Sequence, residues 1–173
     1  MSPSRSSRAV TTLLLMFSVS SCAGEAASPA TASASGKSVG AAGASDPAER
    51  CLAVAGAKRE RRAGEPAKVS AKHILVKYAG AKKALPSVTR TREQACLRAE
   101  EARATLEQGT SFADVVAAYS EEPGATTREG SLGAIERSHV VPPFADAAFE
   151  LSAGQVSHVV ETDFGFHVIM RTE

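Results

Sequence analysis

At 173 residues, 43% hydrophobic and 23% charged, the chain has room for one domain with a real core and a tail, and not for two large domains. Its formal charge of +1 divides into +3 over residues 1–66 and −2 over residues 67–173, a balance that excludes a nucleic-acid binder on charge. The three cysteines and four histidines show no metal-ligand spacing.

Arg5 and Arg8 precede an apolar run from Ala9 to Val19, about 11 residues against the ~20 that span a bilayer, so residues 1–21 read as an export signal. Ser20-Ser21-Cys22 follows at once. This arrangement is similar to the bacterial lipobox, which implies cleavage before Cys22 and acylation of its thiol; the alternative is an ordinary signal peptide with an incidental cysteine. Ala23 in the next position points, by sorting rules, to the outer membrane of the cell envelope rather than the inner one. Residues 22–66 are rich in Ala, Ser, Gly and Pro, and between Ala23 and Arg50 the only larger aliphatic side chain is Val39, so the stretch reads as a disordered tether. As a flexible coil it has an r.m.s. reach of about 35–40 Å from the lipid surface. Within it, Cys51 to Lys58 suits a short helical turn. Lys58, Arg59, Arg61 and Arg62 read as a solvated charge run, with attraction to anionic head groups as the alternative. Cys51 and Cys96 are expected as two separate thiols, Cys96 half-buried on a helix; a bridge between them is the alternative in a compartment that permits disulfides.

Val69 to Tyr78 reads as a strand with His73, Leu75 and Lys77 on one face and Lys72, Ile74 and Val76 on the other. From Lys68 to Arg92 there are seven basic residues and no acidic one, a positive rim that should favour acidic groups on a partner. Thr91 and Gln94 form a capping-box signal for a helix in which Ala95, Ala99, Ala102 and Leu106 recur before Gly109 stops it. Ser111 starts a second helix, with Phe112, Val115, Val116 and Tyr119 inward, and Glu121 to Glu129 is loop or short helix. Gly130 to Glu136 is a strand whose Gly-Ser-Leu-Gly opening turns tightly and leaves Leu132 facing a cleft. Pro142 and Pro143 open a helix with Phe144, Ala147, Ala148 and Leu151 on one stripe. Leu132, Val140 and Phe144 are then candidates for a small apolar pocket the size of a proline ring. Val156 to Glu161 and Gly165 to Arg171 complete four short strands interrupted by helices, an α+β domain over residues 67–173.

HILVK, GSLG, PPFADAAFEL and GQVSHVVETDFGFHVI, in that order across residues 69–173, resemble the parvulin family of peptidyl-prolyl cis/trans isomerases. VTRTREQA and the Lys82-Lys83 pair are further similar to the branch that prefers a phosphorylated or acidic residue before proline. The resemblance implies a four-stranded, mostly antiparallel sheet flanked by helices, and an isomerase that assists the folding of exported or envelope proteins without metal or cofactor. By the same resemblance, His73, His167 and Thr162 form a hydrogen-bonded set, and Glu122, with Glu121 as its competitor, takes the place of the family's cysteine or aspartate. Leu132, Val140 and Phe144 would hold the proline ring, and Lys77, Lys82 and Lys83 the anionic side chain before it. Val141 and Phe164 stand where that branch carries glutamine and serine. The implied partners are X–Pro segments of unfolded chains and, through Cys22, a membrane; a monomer is expected. A chaperone-like binding module with little turnover is the alternative function, and a basic scaffold for anionic envelope polymers a third.

Overall fold

The computed structural model of the protein describes residues 46–173, so the expected export signal, Cys22 and the expected tether up to residue 45 lie outside the described residues. The elements are α1 (Pro47–Ala55), β1 (Lys68–Val76), α2 (Arg92–Glu107), α3 (Phe112–Tyr119), β2 (Ser131–Glu136), α4 (Pro142–Glu150), β3 (Val160–Thr162) and β4 (Gly165–Arg171), with single 3-10 turns at Thr126–Arg128 and Arg137–His139. The four strands form one antiparallel sheet in the order β2-β1-β4-β3.

Local chemistry accounts for most element boundaries. The Thr91 side chain accepts from the Gln94 N–H and Gln94 reaches back to the Thr91 N–H, the reciprocal cap that starts α2. Ser111 caps α3 through the Asp114 N–H, and a proline just inside the first turn starts α4. The expected third strand is shorter than its sequence span: only Val160–Thr162 pairs continuously with β4, and Val156 makes a single bridge to Met170.

Strand alternation divides the apolar side chains between two cores. Ile74 and Val76 of β1 and Phe166 and Val168 of β4 pack against α2 and α3, where Ala95, Ala99 and Ala102 let the helix lie close to the sheet. Val69, Ala71 and Ile169 face the other way, toward Phe144, Ala147, Ala148 and Phe149 of α4. The odd-numbered face of β1 therefore runs from the α4 core into an open cleft at Leu75 and Lys77.

Two expectations are corrected. Cys51 and Cys96 are joined in a disulfide, and Cys96 is fully buried rather than half-buried. The ordered part also begins well before residue 67: Asp46 caps α1 through the Ala48 N–H, Pro47 occupies the first turn, and Cys51 and Ala55 enter the core beside α2. Composition masked this because Ala and Cys, small but apolar, suffice where a helix is laid closely on another. Of the basic cluster that follows, Arg59 pairs with Glu150 at 2.7 Å and Arg61 with Glu65 at 3.2 Å, while Lys58 and Arg62 remain exposed.

Candidate active site

The register of β1 on β4 places Leu75 opposite His167 and His73 opposite Ile169, so the two histidines sit diagonally on one face. Their Nδ1 atoms are 3.2 Å apart and their rings nearly parallel, at 13°. The Phe144 ring stands edge-on to both. Thr162 Oγ1 lies 2.8 Å from His167 Nε2 and accepts the Phe164 N–H at 3.1 Å, which fixes the tip of the β3–β4 hairpin. Gly165, at φ 132°, lets that hairpin approach β1: a Cβ there would lie 2.4 Å from the Val76 carbonyl oxygen.

On the other side His73 Nε2 is 2.8 Å from Glu122 Oε2, and the same oxygen is held by Arg128. The hydrogen bond with His73 chiefly, aided by the charges of His73 and Arg128, outweighs burial and holds the Glu122 carboxyl below the usual carboxylate range. An ionised carboxylate only accepts, so His73 presents Nε2–H to it. When the His73 ring is neutral its Nδ1 then accepts from His167 Nδ1–H, and His167 Nε2 accepts the Thr162 hydroxyl. Burial first, and the neighbouring His73 second, lower the His167 pKa from 6.5 to about 3, against an opposing pull from Glu122. His167 is thus a neutral link in a chain of hydrogen bonds that ends on a carboxylate. Glu121 points elsewhere: it accepts the Lys77 N–H at 2.7 Å and pairs with Arg90, so Glu122 alone of the two faces His73.

Leu132, Val140 and Phe144 do converge. With Val141, Phe164 and the histidine pair they line a mainly apolar cavity of about 500 Å³. Leu132 reaches it through a β-bulge: Ala71 pairs with Gly133 and Lys72 with Ser131, leaving Leu132 as the extra residue whose side chain the kink re-aims. Gly130, at φ 73°, permits the close approach to β1, because a Cβ would meet the His73 carbonyl oxygen at 2.6 Å.

Of the seven cations in the expected positive rim, Lys68, Lys72, Arg90 and Arg92 are paired with Glu136, Glu129, Glu121 and Glu161. Lys77, Lys82 and Lys83 make no ion pair among the described residues. Lys77 is buried and donates to the Lys83 carbonyl at 2.8 Å; the Lys82 and Lys83 ammonium groups lie over the Phe164 ring, 5.1 and 5.9 Å from its centre. Lys77 and Lys83 line the cavity, whereas Lys82 is not among its lining residues and approaches it only through Phe164. The sequence reading missed Arg128 on Glu122, and His139 and Pro123 in the cavity wall. Only the position of His139, directly before Val140, was a usable signal.

Residues 57–173 match the family model described as PPIC-type PPIASE domain, and the chain belongs to that family, the parvulin-type peptidyl-prolyl isomerase domains. Foldase protein PrsA of Geobacillus sp. is 41% identical over 75 residues, 43% of this chain and 27% of the foldase. Peptidyl-prolyl cis-trans isomerase pin1 of Schizosaccharomyces pombe is 36% identical over 110 residues, 60% of this chain and 62% of the relative. Chaperone SurA of Alkalilimnicola ehrlichii is 36% identical over 103 residues, 60% of this chain and 22% of the chaperone. The chain thus spans about a quarter of the foldase and less than two thirds of the pin1 protein. Peptidyl-prolyl isomerase ESS1 from Candida albicans superposes with a TM-score of 0.56 at 26% identity over 62% of this chain and 63% of that one. The solution structure of TbPIN1 gives 0.56 at 29% over 62% and 98%.

Proposed function

We propose that the protein is a peptidyl-prolyl cis/trans isomerase that assists the folding of exported or envelope proteins and favours an acidic or phosphorylated residue before proline. The observation that carries this is one cavity in which an apolar wall of Leu132, Val140 and Phe144 shares space with Lys77, Lys83, Glu122 and the paired histidines. Isomerisation breaks no covalent bond; its barrier of ~18–20 kcal/mol is the amide resonance lost on twisting. A proline ring seated in the apolar wall is held while the preceding residue rotates, and in the twisted state the proline nitrogen becomes a hydrogen-bond acceptor. His73, His167 and Thr162 hold the cleft floor in one arrangement and keep the ionised Glu122 beside the turning amide. The three lysines, which make no ion pair among the described residues, receive an anionic side chain before proline. Export and lipid anchoring at Cys22 are part of the proposal, supported by a disulfide that suits an oxidising compartment and by relatives named as foldase and chaperone.

A chaperone-like binding module with little turnover is the second reading. Val141 and Phe164 favour it, since both are apolar where polar side chains would fix the substrate backbone. The test measures isomerisation of Ala-X-Pro-Phe peptides with X as Glu, phospho-Ser, Leu or Lys by the full chain and by Lys82→Ala/Lys83→Ala. Faster turnover of the anionic peptides, erased in the double variant, is expected. Peptide binding without acceleration above the spontaneous rate of tens of seconds or slower hands the function to the second reading.

A further inference from the structure

The connection between α1 and β1 is tied to the elements that carry the cleft's apolar wall. The Glu65 side chain, only 5% exposed, accepts two hydrogen bonds from one terminal nitrogen of Arg137, both at 2.8 Å, and a third from the Arg62 N–H at 3.0 Å. The other terminal nitrogen of Arg137 bonds Asp146 on α4, and the guanidinium lies over the Phe149 ring, 5.1 Å from its centre. Arg137 opens the 3-10 turn that leads directly into Val140 and Val141, and Asp146 stands two residues beyond Phe144. One guanidinium therefore joins the two walls of the apolar pocket, and Glu65 supplies the opposing charge from a segment outside both.

We infer that Glu65, acting through Arg137, is a positioning residue for the proline-binding wall, so that the working unit begins in the α1–β1 connection and not at β1. The inference rests on the isomerase reading above. Val140 and Val141 leave the 3-10 turn as irregular backbone before α4, so this wall is only as rigid as its anchors. A guanidinium held by carboxylates on two sides fixes direction as well as distance, which a lone ammonium would not. Arg59, paired with Glu150, ties the same connection to the far end of α4.

The test compares Glu65→Gln with Glu60→Gln, an exposed residue of the same connection, in the full chain. The readouts are KM, kcat, peptide Kd by titration calorimetry, and Tm. Glu65→Gln is expected to raise KM and Kd by about three- to tenfold with kcat changed less than about twofold, while Glu60→Gln matches the parent. A Glu65→Gln protein that melts earlier but keeps the parent KM and Kd overturns the inference, since a merely structural bond would do that. Should Glu65→Gln be recovered unfolded, Asp146→Asn, which loosens the same guanidinium from the α4 side, carries the same expectation and the same refutation. A parent that binds peptide without turning it over refutes the isomerase reading alone, and Kd then decides this one.

Discussion

Acid should weaken this protein through His167 before it reaches the carboxylates. The ring is buried, with Nδ1 committed to His73 and Nε2 to Thr162, so a second proton would place a cation where neither water nor a carboxylate can meet it directly. Its pKa falls from 6.5 to about 3 on folding. The folded value lies below the unfolded one, so below pH 6.5 the unfolded chain takes up a proton that the folded chain refuses. Stability is therefore whole above that point and is lost as pH falls through the window from 6.5 to about 3. The loss approaches about 1.4 kcal/mol per pH unit, or about 2 kcal/mol by pH 5 and about 4–5 kcal/mol across the window. Glu65, Glu93, Glu122 and Glu136, whose carboxyls are lowered from 4.5, add their own losses only toward the bottom of it. Urea unfolding between about pH 7 and about pH 5, on the parent and on His167→Gln, isolates the contribution. The parent should lose about 2 kcal/mol more than the variant over that interval. Parallel curves, or His167 ring proton shifts that titrate near pH 6, would refute the reasoning.

The Cys51–Cys96 bridge closes a 45-residue separation, so its loss should destabilise the folded state by about 4 kcal/mol on loop entropy. Reduction should lower Tm by about 10–20 °C, and an unchanged Tm with both thiols alkylated in the absence of reductant would show that α1 is held without it. Glu122→Gln keeps the side chain's shape but removes the charge next to His73, and kcat/KM should fall about ten- to a hundredfold with Tm little changed. Activity equal to the parent's would limit Glu122 to a structural place beside Arg128.

Where signals are short-range, the sequence was a sufficient guide. Thr91 with Gln94, Ser111 before Phe112 and the paired prolines before Phe144 each fix a local conformation through neighbours no more than a few residues away. Alternation in β1 also sufficed to put His73, Leu75 and Lys77 on the cleft side. The order of motifs along residues 69–173 carried the family. Tertiary structure decided the rest, because those outcomes depend on residues far apart in the chain. The choice of Glu122 over Glu121 turns on where the loop after α3 lands against His73 and Arg90. The reduction of a seven-residue positive rim to three lysines turns on four glutamates between Glu121 and Glu161. Leu132 reaches the cleft through a bulge that exists only in its pairing with β1. Cys51 meets Cys96 across 45 residues, and Glu65 meets Arg137 across 72. Composition announces a tether there, but a few well-placed contacts from distant elements supply the burial and charge pairing that the local sequence lacks, and they order it.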